Sequence, residues 1–399
     1  MVSYRSKNLA YIVLLVLQFS FCGGILAAGF TLSLRPSEST GVQQIIVLPV
    51  FTEDTPPSTS IRDLQDVMDK VDDYYWECSY HKLIFSSTVA GWVRIPQEMT
   101  DYATVNTYGD VEHGGAKDSL IVEAIKANEF RVDFWSYDRL VVVHSGYSRQ
   151  SPEISDNKTR ISTCHKEGWY TTLDGRTFTG VSVVSEYDLV GSVAHELGHD
   201  LGASDLYDYH SKNPPSTGIS YWGLMSSGNH NGNPDGSKPS HMSSFAKLES
   251  GLIQDSDVYE FTNGSLSIDL VPIACQTRGY RAIRYHLPDG RYYLVEARSK
   301  IGYDSSLPDY GVLVMLVNET RIKLRRDAVR LQVPIQSNSL SDASLREGET
   351  FFDKNNSFAV RVNKWTKSGV TIEISDTLTE DWIISERIHL QTGHHILAF

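Results

Sequence analysis

Residues 189–201 constrain this chain most, because they set two histidines and a glutamate in a helix that is otherwise apolar. Val190, Val193, Ala194, Leu197 and Leu201 recur at helical spacing, the mark of a helix packed in a core. Within it stands His195-Glu196-Leu197-Gly198-His199. Residues four apart share one helix face, so the two imidazoles can reach a single ion. Left without partners in a core, such polar groups would cost on the order of several kcal/mol. A solvated helix face, the bland reading of a bare motif of this kind, does not suit these apolar neighbours.

The next residues complete a ligand set. Gly202 follows His199 by three positions and Asp205 follows Gly202 by three. Glycine there can take positive φ, end the helix and let the chain swing back. Asp205 then supplies a carboxylate oxygen, giving the three protein ligands typical of catalytic zinc sites. Glu196, next to the first histidine, falls beside the ion rather than on it, where it can take a proton from water as general base. Bound zinc acidifies water to a pKa of roughly 7 and polarises a carbonyl. The expectation is one catalytic zinc ion on His195, His199 and Asp205, with Glu196 as base. Rival ligands are Glu249, on a later helical stretch, and His210, close to Asp205. His241 reads as a packed or hydrogen-bonded histidine.

Alternating strand and helix signals surround this helix. Residues 44–51 read as a buried strand, 60–75 as an amphipathic helix, 83–95 as strands, 117–127 as a helix and 139–144 as a strand. Leu173-Asp174-Gly175-Arg176 reads as a hairpin turn leading into a strand through Val181, Val183 and Val184. The pattern predicts an α/β layer. After Ile253, short alternating runs take over at 265–271, 279–287, 291–297, 311–317, 328–333, 358–362 and 370–374, the pattern of an all-β sandwich-like domain. The boundaries read are 1–29 for a signal peptide or signal anchor, 30–43 for a short linker, 44–255 and 256–377 for two domains, and 378–399 for a tail with no assigned role.

Arg5 and Lys7, an apolar run from Leu9 to Phe21, and the small residues Cys22-Gly23-Gly24 and Ala27-Ala28-Gly29 give the first segment its secretory pattern. An uncleaved anchor is the alternative, and the only membrane association expected. Once Cys22 is removed, Cys78, Cys164 and Cys275 predict one disulfide and one free thiol. Asn157, Asn263, Asn318 and Asn355 are glycosylation sequons. A net charge of −13 argues against a nucleic-acid partner.

The motif His195 to Asp205, then Asp205-Leu206-Tyr207-Asp208 and Trp222-Gly223-Leu224-Met225-Ser226-Ser227-Gly228, resembles the immune inhibitor A-like branch of the metzincin peptidases. Weaker likenesses run from about residue 44 to 375. The resemblance implies an α/β metzincin-like catalytic domain, with Met225 in a tight turn beneath the metal and Gly202 shaping the loop. Calcium, frequent in such relatives, finds no ligand spacing here, although Asp208, Asp235 and Asp304 sit in loop-like surroundings. His230 stands where tryptophan is usual, and Ser226 and Ser227 after the methionine leave no nearby tyrosine to act as an extra ligand. The implied activity is that of a secreted zinc metalloendopeptidase acting on protein or peptide substrates. Two rivals stand beside it: a catalytically silent secreted binding module on the same scaffold, and a zinc hydrolase for another amide bond.

Overall fold

The computed structural model describes residues 39–103, 115–148, 161–212, 217–333, 339–377 and 382. The signal-like segment, most of the 30–43 linker, Asn157 and the tail histidines lie outside them. No helix among the described residues is long and apolar enough to cross a membrane.

The first half alternates β1 (Gly41–Phe51), α1 (Ile61–Cys78), β2 (Leu83–Val89), β3 (Val93–Arg94), α2 (Gly115–Asn128), β4 (Arg139–His144), β5 (Cys164–Thr171), β6 (Thr177–Ser185) and α3 (Val190–Asp200). The strands form one sheet in the order β2-β1-β4-β6-β5, with β3 continuing along β1. Its pairs are parallel except β5 with β6. Successive side chains point to opposite faces. Ile45, Val47, Val141 and Val143 pack with Val71 and Tyr75 of α1 and Val193 and Leu197 of α3. Ile46, Leu48, Leu140 and Val142 pack on the other side with Leu120, Ile121 and Ala124 of α2. Burial on both faces explains why β1 and β4 read as nearly unbroken apolar runs. Ser60 caps α1, accepting from Asp63 N at 3.1 Å, and the Tyr75 hydroxyl donates to Ala194 O at 2.6 Å, pinning α1 to α3.

The second half holds α4 (Ser244–Glu249), β7 (Val258–Glu260), β8 (Ser265–Leu270), β9 (Ala282–His286), β10 (Tyr292–Arg298), β11 (Gly311–Val317), β12 (Val329–Leu331), β13 (Thr350–Asp353), β14 (Phe358–Trp365) and β15 (Val370–Ser375). They make a five-stranded sheet, β12-β11-β10-β9-β7, and a four-stranded sheet, β13-β14-β15-β8. Tyr293, Val295 and Val314 of the first share a core with Phe358, Val360 and Ile372 of the second. Alternate residues Leu294, Leu313 and Met315 turn the other way, into the cluster that contains α1 and α3. Hydrophobic contact is therefore continuous across residue 255. Of the tail, Trp382 lies 4.3 Å beneath the Arg361 guanidinium.

The chain is thus built of mixed α/β sheets. Three strands went unread in the sequence. β7 and β13 are too short to show alternation, and β5, at the sheet edge, carries His165, Lys166 and Glu167 instead of an apolar run. The expected disulfide is corrected: Cys78, Cys164 and Cys275 are all free thiols. They stand on separate elements with separate partners. Cys78 ends α1 against the Tyr74 hydroxyl, Cys164 opens β5 with Lys117 Nζ at 3.2 Å, and Cys275 lies in a loop after β8.

Candidate metal centre

α3 places His195 and His199 one turn apart, with ring centroids 4.9 Å apart and planes at 84°. A backbone carbonyl fixes each ring. His195 Nδ1 donates to Leu224 O and His199 Nδ1 to Ala203 O, both at 2.8 Å. A carbonyl can only accept, so these bonds keep a proton on Nδ1 and turn Nε2 toward Asp205, where it carries a proton without a cation and can give its lone pair to one. α3 stops at Leu201, and Gly202 takes φ +94°, the bend the spacing predicts. Asp205 returns to the rings, its Oδ1 3.0 Å from His195 Nε2 and 3.4 Å from His199 Nε2. One ligand atom from each of the three residues lies within 4.8 Å of the others, and no other three histidine, cysteine or acidic side chains converge this way among the described residues.

Met225 is fully buried beneath the helix. A Cβ at Gly198 would stand 2.5 Å from its sulfur, so the glycine lets the methionine approach. Met225 O also accepts from Leu206 N at 2.7 Å, tying the loop beyond Asp205 to the turn. With Leu224 O on His195, this short turn touches both sides of the site.

Burial disfavours charge on all of these groups, but their pairing outweighs it for three of them. The Asp205 carboxylate pushes His199 up to about 9 and raises His195. The two imidazoles in turn hold Asp205 well below the ordinary carboxylate range. For Glu196 burial prevails and its carboxyl is raised. A cation here would displace the protons these imidazoles otherwise hold.

One residue of the site escaped the sequence reading. The Tyr209 hydroxyl donates to Asp205 Oδ2, leaving Oδ1 turned toward the histidines. No tyrosine follows the methionine turn directly; this one stands four residues after Asp205, and that spacing was its only signal. Removing a partner of a metal-ligating group typically weakens metal binding by about 10–100-fold. Tyr209→Phe should show a loss of that size in a competitive chelator titration, with little change in the folded fraction.

The rivals stand elsewhere. Glu249 accepts from Ser204 N and Oγ, both at 3.0 Å, and so braces the loop beside Asp205; burial pushes its carboxyl up to about 7. His210 is exposed. His241, fully buried, meets Glu77 Oε1 at 2.8 Å. His230 lines the cleft and pairs with Asp235 at 3.1 Å. Asp208 accepts from His210 N at 2.8 Å, and Asp304 is buried in an ion pair with Arg298.

That ion pair belongs to a fully buried cluster of Arg298, Glu296 and Asp304. Arg298 donates to the carbonyls of Trp222 and His241. Asp304 accepts from His241 N at 2.8 Å and Glu296 from Ser244 N at 2.6 Å. Leu224 N donates to His241 O at 3.3 Å. The five-stranded sheet thereby grips both strands of backbone around the methionine turn. In sequence this shows only as charge at the end of an apolar strand, Glu296 and Arg298.

The site floors a cleft of about 900 Å³. Residues 164–167 of edge strand β5 line it, with Ser226, Ser227 and Asn229 at the methionine turn and Ile322 and Arg325 from the β-rich half. Over this region the catalytic-domain profile of the immune inhibitor A peptidases (peptidase M6) matches residues 157–250, the stretch that holds all three converging side chains and Met225. This stretch is similar to the catalytic domain of the immune inhibitor A metallopeptidases. The pre-pro-metalloprotease PrtV, from two strains of Vibrio cholerae serotype O1, is 39% identical over 126 residues of the same chain. That alignment takes in 28% of this chain and 13% of PrtV, so the chain spans about an eighth of the length of the curated relatives it matches. Two crystal structures of wild-type OgpA from Akkermansia muciniphila superpose at TM-scores of 0.32 and 0.36 with 11% and 12% identity. They cover 77% and 81% of this chain and 96% and 89% of OgpA. Superposition that loose does not define a common fold.

Proposed function

We propose that this chain is a secreted zinc-dependent endopeptidase hydrolysing internal peptide bonds. The observation that carries the reading is the convergence of His195, His199 and Asp205 on one point, with both imidazoles oriented by backbone carbonyls so that Nε2 faces inward. Two imidazoles and a carboxylate are a donor set that suits zinc, with a position left open for reaction. A bound zinc would acidify water and polarise the scissile carbonyl. Glu196, adjacent to His195 on α3 and lining the cleft, is the general base and afterwards returns the proton to the leaving amine. Its buried setting raises its proton affinity, which favours taking a proton near neutral pH. Gly202 supports the site by bending the chain, Met225 by packing under α3, and Tyr209 by holding Asp205.

The substrate is a protein or peptide. It lies along β5, the edge strand of the sheet, where an extended chain can add main-chain hydrogen bonds. Residues 44–255 form the metzincin-like catalytic part and 256–377 the sandwich-like part. The basic, apolar and small-residue order of residues 1–29 supports export. Protein stripped of metal by a chelator should leave a denatured protein substrate uncut, and added zinc should restore cleavage. Undiminished cleavage by the stripped protein would contradict the reading.

A further inference from the structure

The cleft carries a charge feature that hydrolysis itself does not use. In a chain of net charge −13, residues 321–330 hold Arg321, Lys323, Arg325, Arg326 and Arg330 against a single acid, Asp327. This segment leaves a short 3-10 turn, Glu319–Leu324, at the cleft wall formed by Ile322 and Arg325. Three of its cations are engaged: Arg321 and Arg330 with Asp327 at 2.6 and 2.8 Å, and Arg326 with Asp208 at 3.7 Å. Arg325 meets no carboxylate at ion-pair distance among the described residues.

The backbone of Arg325 is nevertheless held in place. Its carbonyl accepts from Tyr209 N at 3.2 Å, and its guanidinium lies 5.3 Å from the centre of the Tyr209 ring. The same ring's hydroxyl donates to Asp205, so one aromatic side chain separates Arg325 from the metal ligands. The residue also adopts φ 50° and ψ 44°, a left-handed conformation that is uncommon for a side chain other than glycine, asparagine or aspartate. Such strain persists where the surroundings require it, and it clusters at functional sites. What results is an exposed guanidinium at the wall of an open cleft, lying over the Tyr209 ring, with a planar donor set that matches a carboxylate.

We infer that Arg325 is a specificity-determining residue that binds an acidic side chain of the peptide substrate, so that the cleft prefers peptides carrying glutamate or aspartate near the scissile bond. The inference rests on the peptidase reading and adds the substrate class to it. Lys323 strengthens the local positive field without needing to touch the substrate.

The test compares matched peptides in which one position at a time near the scissile bond is glutamate, glutamine or lysine. kcat/KM is measured for wild type, Arg325→Lys and Arg325→Glu, and each enzyme is judged by its own glutamate-to-glutamine ratio. At one position, wild type should prefer glutamate by about fivefold, the size of a single partly exposed ion pair, and high salt should shrink that preference. Arg325→Lys should keep the direction, and Arg325→Glu should turn it toward lysine. A wild-type ratio near unity at every position, or a ratio unmoved in Arg325→Glu, overturns the inference while cleavage of the glutamine peptides still upholds the peptidase reading. Failure of the metal-loaded wild type to cut any peptide overturns both.

Discussion

Glu196→Gln should lower kcat on a denatured protein substrate by roughly 10²–10⁴-fold, the usual share of a positioned general base, while the protein keeps its metal and its fold. Glutamine reproduces the shape of the side chain and removes only its ability to take a proton. Glu196 lies beside His195 on α3 but is not one of the three converging side chains, so metal content should be indifferent to the change. The buried carboxylate is also disfavoured by its surroundings, and for that reason the neutral amide should not destabilise the helix. Equal loss of zinc and of activity would make Glu196 a ligand or a structural residue. Unchanged kcat would place the base elsewhere in the cleft.

The largest effect on stability is expected from Arg298→Met. Arg298, Glu296 and Asp304 are all fully buried, and methionine would leave two carboxylates without a counter-charge. Removing one partner from such a pair typically costs about 3–5 kcal/mol, readable as a lower midpoint in urea unfolding. Neutralising the partners as well, in Arg298→Met with Glu296→Gln and Asp304→Asn, should recover part of the loss, because the cost lies in the stranded charges. The single variant should also bind zinc more weakly, since Arg298 holds the carbonyls of Trp222 and His241 on either side of the turn that orients His195. A loss below about 1 kcal/mol would be that of a surface pair and would remove the cluster from any role in holding the turn.

How much of this was legible in the sequence follows from which interactions are local. The pair of histidines, the helix that carries them and the glycine bend lie within thirteen residues, Val190 to Gly202, and 3.6-residue periodicity with a positive-φ glycine is enough to place them. β1, β4 and β11 were legible because burial on both faces writes an apolar run. β5 was not, because an edge strand that lines a polar cleft carries cleft chemistry in place of a core pattern. Tyr209 was missed because its role depends on a loop path that only Leu206, Met225 and the Arg325 carbonyl define together. The Arg298 cluster joins residues 222, 241, 296 and 304, far apart in sequence, and its partners could not be paired from composition. The cysteine count misled for the same reason: parity says nothing about where thiols lie, and each of the three sits on its own element.

The central claim, that His195, His199 and Asp205 hold one metal ion together, is tested most directly by metal analysis of purified protein beside Asp205→Ala. Wild type should carry about one zinc per chain, as expected for a single catalytic site, and folded Asp205→Ala should retain little of it after dialysis. Zinc held as tightly by Asp205→Ala as by wild type would contradict the claim, because the loop that returns to the helix would then have no part in binding.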